Sequence, residues 1–235
     1  KWSRERVAAH PDHFTGEDLG GLDLSGLALD GKSFRGAILT GTKLVGTTLM
    51  ESNLTGATLS QTDLSHAVLE KAVLDDADFS EATLSGAKLR ETHLERTTFE
   101  KANLSGADLS HTTGTAPSFL GSILTRGNLS QSNLPRINFT DAVVDETNFR
   151  DAQFENGTAY NTTGKKIDME GANLTKFRAD EKTSFPGGNF QNITAPRSTW
   201  SGANLTDTTF LGARLQRSNF SEASLQNAIF SKTDM

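Results

Sequence analysis

Residues 31–110 decide the fold of this chain, and they read GKSFR GAILT GTKLV GTTLM ESNLT GATLS QTDLS HAVLE KAVLD DADFS EATLS GAKLR ETHLE RTTFE KANLS GADLS. A large apolar residue returns at every fifth position, from Phe34 to Leu109, without a slip. A period of five matches neither an α-helix, at about 3.6 residues per turn, nor a strand, at about two. The stretch therefore predicts a repeat architecture, in which one small unit stacks on the next.

Each five-residue unit carries a second regular feature. If the large residue is called the centre, position −2 holds a small residue, which is most often alanine, as at Ala57, Ala67 and Ala102. Positions −1, +1 and +2 hold mainly Asn, Asp, Thr, Ser, Gly, Lys or Glu. A large and a small residue at fixed spacing predict two inward positions in a narrow interior, with the other three facing solvent or turns.

The pattern A-(N/D)-L-x-x, seen at Ala102-Asn103-Leu104 and Ala107-Asp108-Leu109, resembles the pentapeptide-repeat family over nearly the whole chain. The resemblance implies an all-β fold, a right-handed quadrilateral parallel β-helix with four pentapeptides to a coil. It says much less about function than about fold.

A four-sided coil requires residues twenty apart to stack, and the aromatic residues have that spacing. They form three series: Phe79, Phe99, Phe119 and Phe139; Phe190, Phe210 and Phe230; Trp200 and Phe220. Stacked rings gain about 0.5–1.5 kcal/mol per pair beyond area burial. These residues are predicted to form core ladders, and the alternative is a stripe on which a ligand stacks.

Length and composition limit the classes of function. The chain has 235 residues, which suits a single solenoid domain, and its net charge of −6 disfavours nonspecific nucleic-acid binding. Without cysteine it has no disulfide, thiol nucleophile or thiolate metal site. No apolar run reaches the length of a membrane span. Because the sequence starts at Lys1 and stops at Met235 on a centre, we expect a fragment of something longer or a processed product.

Residues 1–13 lie outside the repeat and are expected to cap the first coil. Trp2, Val7 and Ala8 are expected to line one side of a short helix that ends at Pro11. Residues 14–235 are expected to form the β-helix, with Leu22 and Leu27 replacing alanine where the first coil is wider or packs against the cap.

Three departures from the repeat are expected. Gly114 replaces a centre, so one face is expected to loop out between Thr112 and Pro117. Residues 155–196 are expected to be irregular, as loops that carry function or merely tolerate insertion. One extra residue enters between Ala179 and Phe185.

No catalytic, cofactor-binding or metal-binding residue is predicted, and no cofactor is implied. The histidines occur with no acid and nucleophile at a recognisable spacing: His10, His13, His66, His93 and His111. His10-Pro11-Asp12-His13 is the nearest approach to a metal motif, and two histidines without further ligands are weak evidence for one.

The acidic residues raise one specific alternative, because some pentapeptide proteins of the quinolone-resistance Qnr type are thought to mimic DNA and bind DNA gyrase. There are two acidic clusters in the sequence: Asp75, Asp76, Asp78 and Glu81; and Asp141, Asp145, Glu146, Asp151 and Glu155. At twenty-residue spacing, however, Glu70 falls under Arg90, Asp76 under Arg96 and Glu81 under Lys101. Only Asp75 and Glu95 stack two like charges. This alternation of sign along the columns is typical of an ordinary solvated face and not of a DNA mimic.

Two classes of function therefore stand. The first is a noncatalytic protein–protein interaction or scaffold module with an unknown protein partner; the resemblance extends to repeat domains of type III secreted bacterial effectors, some joined to a HECT-like ubiquitin ligase. The second is a DNA-mimicking inhibitor or protector of gyrase. The first implies a location in the bacterial cytoplasm, or in the host cell for a secreted effector. The end coil, with Leu225, Phe230 and Met235, is expected to meet a second copy or a downstream domain.

Overall fold

The computed structural model describes residues 1–10 and 13–235 and has the predicted right-handed, four-sided parallel β-helix. Its regular elements are one helix, α1 (Arg4–Ala9), and two paired parallel strands, β1 (Thr158–Ala159) and β2 (Arg178–Ala179). Every other strand segment is a single-residue parallel bridge, from His13↔Ser33 to Arg214↔Asp234. Bridged residues are twenty apart over most of the chain, which makes one coil from four pentapeptides.

Hydrogen bonding in one pentapeptide, residues 52–56, explains why the coil forms. The amides of Leu54 and Gly56 donate to carbonyls in the next coil at 2.8 Å each, and Asn53 donates to the preceding coil at 3.0 Å. Ser52 donates to the carbonyl of Leu49 across the turn at 3.2 Å. The amide of Thr55, at position +1, bonds instead to the Asn53 side chain, at 3.0 Å.

This last bond explains the preference for Asn or Asp at position −1. A backbone N–H without a partner is costly when it is removed from water, and a short Asx side chain two residues earlier accepts from it. The same bond joins Asp63 to Ser65 at 3.0 Å, Asp78 to Ser80 at 2.9 Å and Asn103 to Ser105 at 3.0 Å.

The interior confirms the two predicted inward positions. Centres such as Leu54 and Phe99 and −2 alanines such as Ala57 and Ala102 are buried. Most hydroxyls at position −2 donate to a backbone carbonyl, as Thr42 does to Leu19 at 3.0 Å, but the buried Ser132 hydroxyl has no partner among the described residues.

The aromatic ladders are also confirmed as core. Phe99 stacks between Phe79 and Phe119 with ring centroids 5.1 and 4.9 Å away. The other two series stack as well: Phe190 on Phe210 at 5.1 Å, Phe210 on Phe230 at 4.8 Å, and Trp200 on Phe220 at 6.3 Å.

The N-terminal segment closes the first coil through Arg4. In later coils, the backbone carbonyls at the positions that correspond to Asp23 and Ser25 accept hydrogen bonds from amides of the coil before them. Here the Arg4 guanidinium donates to both carbonyls, at 3.1 and 2.8 Å, and so takes the place of a preceding strand.

Helix α1 differs from its prediction in one respect. Val7 is buried and Trp2 packs on the core, but Ala8 is exposed, so its predicted place on the buried side is wrong. In this six-residue helix only Val7 is buried against the end of the first coil. The predicted role of Pro11 lies outside the described residues.

The predicted loop between Thr112 and Pro117 is wrong. Thr113 bridges Asn133 and Ser118 bridges Thr98, so the coil keeps its register through this stretch. At Gly114, φ is 140°, and a Cβ atom would lie 2.6 Å from the Leu94 carbonyl carbon. The glycine lets the backbone itself approach the neighbouring coil, so the chain has no need to bulge outward.

The predicted extra residue after Ala179 is confirmed by a change of register. Thr158 bridges Arg178, twenty residues on, whereas Thr163 bridges Ser184, twenty-one residues on. The offset returns to twenty from Ser184↔Asn204. Within residues 155–196 the bridges continue on both sides of this single change.

Candidate functional site

The side chains available for function lie on the outside of the coil. Position +2 forms each corner, with φ near +60° for Glu51, Lys71 and Arg96 as well as for the expected glycines. Left-handed backbone is unfavourable for residues with a Cβ, and here the bonds to the adjacent coils hold it. The corners therefore present charged side chains in vertical columns, one residue per coil.

One member of the first acidic cluster, Asp76, is neutralised by an ion pair within the protein. The carboxylate of Asp76 accepts from Arg96 Nε at 2.7 Å and from its NH2 group at 2.9 Å, which confirms the predicted pairing. The Arg96 hydrogen bonds lower the pKa of Asp76, and the bonds from Asp76 raise the pKa of Arg96. Arg96 also pairs with Glu95 at 2.9 Å.

Two other oppositely charged pairs stack as predicted but make no ion pair among the described residues. Arg90 turns to its sequence neighbour Glu91, at 3.1 Å, instead of to Glu70 one coil away. Glu81 accepts from Gln61 at 3.1 Å and makes no ion pair with Lys101 among the residues that the structure describes. Long exposed side chains have several partners within reach, so column position alone does not select one.

The like-charged pair Asp75 and Glu95 is accommodated by backbone donors. Asp75 accepts from the Glu95 amide at 3.1 Å, and Glu95 from the Thr115 amide at 2.7 Å. His93 Nδ1 also contacts the Asp75 carboxylate. These carboxylates therefore satisfy the +1 amides that lack a backbone partner, which is a structural task.

The second acidic cluster does not form a patch. Asp141, Asp145 with Glu146, Asp151 and Glu155 follow four different bridged segments, so they lie at four successive turns around one coil. Asp141 accepts from Asn161 at 2.7 Å and Asp145 from the Lys165 amide at 2.9 Å. The acids that are neighbours in sequence are thus spread over all four sides.

Other polar features offer no convergent chemistry. A cleft of about 510 Å³ beneath the cap is lined by Trp2, Arg6, Glu17 and others, but Trp2 already donates to Glu17 at 2.6 Å and faces the Arg6 guanidinium at 5.1 Å. Across residues 1–10 and 13–235 no group of three potential ligands could hold a metal ion; Pro11 and Asp12 of the histidine motif lie outside that range. No described helix is long and apolar enough to cross a membrane.

One charged feature escaped the sequence analysis. The bridged residues Asn133, Gln153, Asn173, Thr194 and Arg214 form one ladder. The corner residue that follows each of these by three positions belongs to one vertical column. Four of the five corner residues are cations, and the second, Asn156, is neutral. We call the cations the basic column: Arg136, Lys176, Arg197 and Arg217. A search for cations twenty residues apart could have revealed the basic column in the sequence. The extra residue before Phe185, however, changes the spacing between stacked residues from 20 to 21.

A family model described as pentapeptide repeats matches residues 18–56, 52–90, 77–113, 122–157 and 201–235, which is more than half of the chain. A search of curated proteins finds no significant match.

Several solved structures are similar to this chain. HetL, a pentapeptide repeat protein involved in heterocyst differentiation in Nostoc sp. strain PCC 7120, is 22% identical, with 97% of this chain and 93% of that chain covered and a TM-score of 0.41. A pentapeptide repeat protein from the Arabidopsis thaliana thylakoid lumen is 31% identical over 42% of this chain and 69% of that chain, with a TM-score of 0.41. The fluoroquinolone-resistance protein QnrB1, trypsin-treated, is 20% identical over 88% and 91% of the two chains, with a TM-score of 0.43. On the family match and the repeat geometry, the chain belongs to the pentapeptide-repeat family.

Proposed function

We propose that this solenoid is a noncatalytic protein–protein interaction or scaffold module. The observation that carries the proposal is that apolar side chains fill the interior of the coil and charged side chains lie on its outer surface. Leucine, phenylalanine and alanine fill the interior, and the charged side chains stand outside in separate columns on a hydrogen-bonded backbone. A rigid rod with regularly spaced outward side chains suits the binding of an extended or repetitive protein surface.

The charge distribution favours this function over DNA mimicry of the gyrase-binding type. A mimic needs acids stacked on one face, whereas Asp76 is neutralised by Arg96 and the second acidic cluster is spread around the coil. One column of the C-terminal half carries four cations.

A gyrase supercoiling assay separates the two functions. We expect no inhibition by the protein at micromolar concentration. Potent inhibition that is lost on neutralising Asp75, Asp78 and Glu81 would overturn the scaffold proposal in favour of mimicry.

The scaffold proposal has a more specific form, based on resemblance. In that form the solenoid is the repeat domain of a larger bacterial effector that carries a ubiquitin-ligase domain and acts in the host cell. In the simpler form the protein works in the bacterial cytoplasm. The full-length gene, and fractionation of infected cells, distinguish the two forms.

The C-terminal coil is a second proposed contact. Ile229 and Met235 are 52% and 73% exposed, and Phe220, Leu225 and Phe230 are only partly buried. An uncovered coil end combines apolar surface with unpaired strand groups. The proposal is that a second copy, or a further domain, covers this end.

A further inference from the structure

The basic column, Arg136, Lys176, Arg197 and Arg217, is a row of like charges in a protein whose net charge is −6. All four residues are exposed and stand at left-handed corners, with φ of 61°, 56°, 59° and 61°. We propose that the basic column is the docking surface for an extended acidic segment of a partner protein. The inference rests on the proposed interaction function and names the chemistry of the partner.

These four cations stack in one column, with no acidic corner residue between them. Within the part of the chain that the structure describes, none of them pairs with a carboxylate. Some other exposed arginines do pair, as Arg96 does with Asp76 at 2.7 Å and Arg150 with Glu170 at 2.6 Å, whereas Arg126 does not within the described residues. Like charges on neighbouring strands repel one another, so an unpaired row is unfavourable in the free protein and is relieved by a bound anion.

The surroundings of the column extend its positive field. Arg178 and Arg214, at neighbouring −1 positions, are also exposed. The +1 residues beside the column are Pro135, Glu155, Thr175, Pro196 and Gln216, so a single carboxylate, that of Glu155, lies at these positions. A partner that approaches along this edge therefore meets cations at both ends of the column, with one gap at Glu155 and Asn156.

The geometry suits an extended peptide. Parallel strands stack about 4.8 Å apart, so the four coil steps from Arg136 to Arg217 span about 19 Å. A peptide in β conformation rises about 3.3 Å per residue, so six or seven residues cover that length. Backbone bonds to the next coil hold the corners, such as Arg136 N to Glu155 O at 2.8 Å and Arg197 N to Gln216 O at 2.9 Å. Such a row is in place before the partner arrives, which reduces the entropy that binding must remove.

A nucleic acid fits this surface less well than an acidic peptide does. A long polyanion would extend past the basic column and be repelled by the rest of the protein, whose net charge is −6. A short peptide would lie against the column alone, and charges farther from it than about one Debye length, roughly 8 Å at physiological salt, are largely screened. Single-stranded nucleic acids also need aromatic side chains on which bases can stack. The −1 and +1 residues flanking the column include no aromatic residue.

The test is the binding of a fluorescently labelled peptide of alternating Glu and Thr, about ten residues long, to the whole chain by anisotropy. In the test variant the column is neutralised by Arg136→Gln, Lys176→Gln, Arg197→Gln and Arg217→Gln. In the control variant four cations at the same kind of left-handed corner, but in other columns, are neutralised: Lys71→Gln, Lys101→Gln, Arg126→Gln and Lys166→Gln. The two variants have the same net charge, and matched melting temperatures would show that both are folded.

We expect micromolar binding at low salt, weakened about tenfold or more in the column variant and less than about twofold in the control. We also expect binding to weaken as salt rises. Equal weakening in both variants would overturn the inference, because it would show attraction by net charge alone. A duplex or single-stranded oligonucleotide that binds more tightly than the peptide, and only through the column, would overturn it in favour of a nucleic-acid partner. Failure of the peptide to bind would also overturn the inference about the basic column. It would not bear on the scaffold proposal, which the gyrase assay tests separately.

Discussion

The carboxylate of Asp180 accepts a hydrogen bond from the backbone amide of Asn161 at 2.9 Å, one coil away. The same oxygen accepts from the Lys182 amide at 3.2 Å and from the Thr183 hydroxyl at 2.9 Å. These bonds lie at the one-residue insertion, so one carboxylate ties the altered corner to the regular coil beside it. Burial acts to raise the pKa of Asp180, but the hydrogen bonds outweigh it and hold that pKa below its ordinary value.

Asp180→Ala is expected to lower the free energy of unfolding at pH 7 by about 1 kcal/mol, because the Asn161 and Lys182 amides lose their shared acceptor. Since the pKa is lower in the folded than in the unfolded state, the carboxylate stabilises fully above its unfolded value, near 4. That contribution is lost as the pH falls through the folded value. Thermal unfolding followed by circular dichroism at pH 7 and about pH 3 should show the difference between wild type and variant shrinking in acid.

Asp207→Ala is the matched control, since the Asp207 carboxylate is exposed and, among the residues that the structure describes, accepts only from the Asn227 side chain, at 2.8 Å. It should change the free energy of unfolding by less than about 0.5 kcal/mol at pH 7. If the effect of Asp180→Ala persists undiminished in acid, the ionised carboxylate is not its source.

Phe99→Ala is expected to reduce the free energy of unfolding by about 3–5 kcal/mol, because it removes the middle ring of a buried ladder. Phe99→Leu is the control, since leucine occupies most other centres, and it should cost less than about 1.5 kcal/mol. Chemical denaturation of both variants measures the difference. An unchanged midpoint for the alanine variant would mean that Phe99 is not inside.

Asn103→Ala is expected to cost about 1 kcal/mol, because the Ser105 amide and hydroxyl both donate to the Asn103 side chain, at 3.0 and 2.7 Å. Thr83 occupies the same position one coil earlier, where its side chain has no hydrogen-bond partner in the described structure. Thr83→Ala should therefore change stability by less than about 0.5 kcal/mol. Equal losses in the two variants would show that the side-chain bond to the +1 amide contributes nothing.

Features that recur at every coil were predictable from the sequence, because each repeat places the same residue types in the same surroundings. Phe99 could be assigned to a core ladder from its spacing alone. Gly114 could not, because a missing centre permits either a bulge or a closer backbone approach, and only the space beside Leu94 decides between them. The Arg90 pairing also could not be predicted, since an exposed guanidinium chooses among several carboxylates. The basic column was hidden by the one-residue change of register near Asp180.

The exposed apolar residues at the C-terminal coil provide the last prediction. Four large apolar side chains are exposed in the described chain, and two of them, Ile229 and Met235, belong to this coil. If a second copy covers the coil end, sedimentation velocity should show association that increases with protein concentration. Ile229→Glu with Met235→Glu should abolish it, because charge at a buried apolar contact is strongly unfavourable.

The control uses the other two exposed apolar residues, Ile38 and Ile123, which are 44% and 41% exposed at the same −1 position as Ile229 but in earlier coils. Ile38→Glu with Ile123→Glu adds the same charge and removes the same kind of surface, and it should leave the association intact. Because Ile229 and Met235 are already largely in water, their replacement should cost the monomer little stability, so a loss of association can be assigned to the contact itself. A wild-type protein that stays monomeric at all concentrations would rule out the second copy as the occupant and leave a further domain as the only cover proposed for this end.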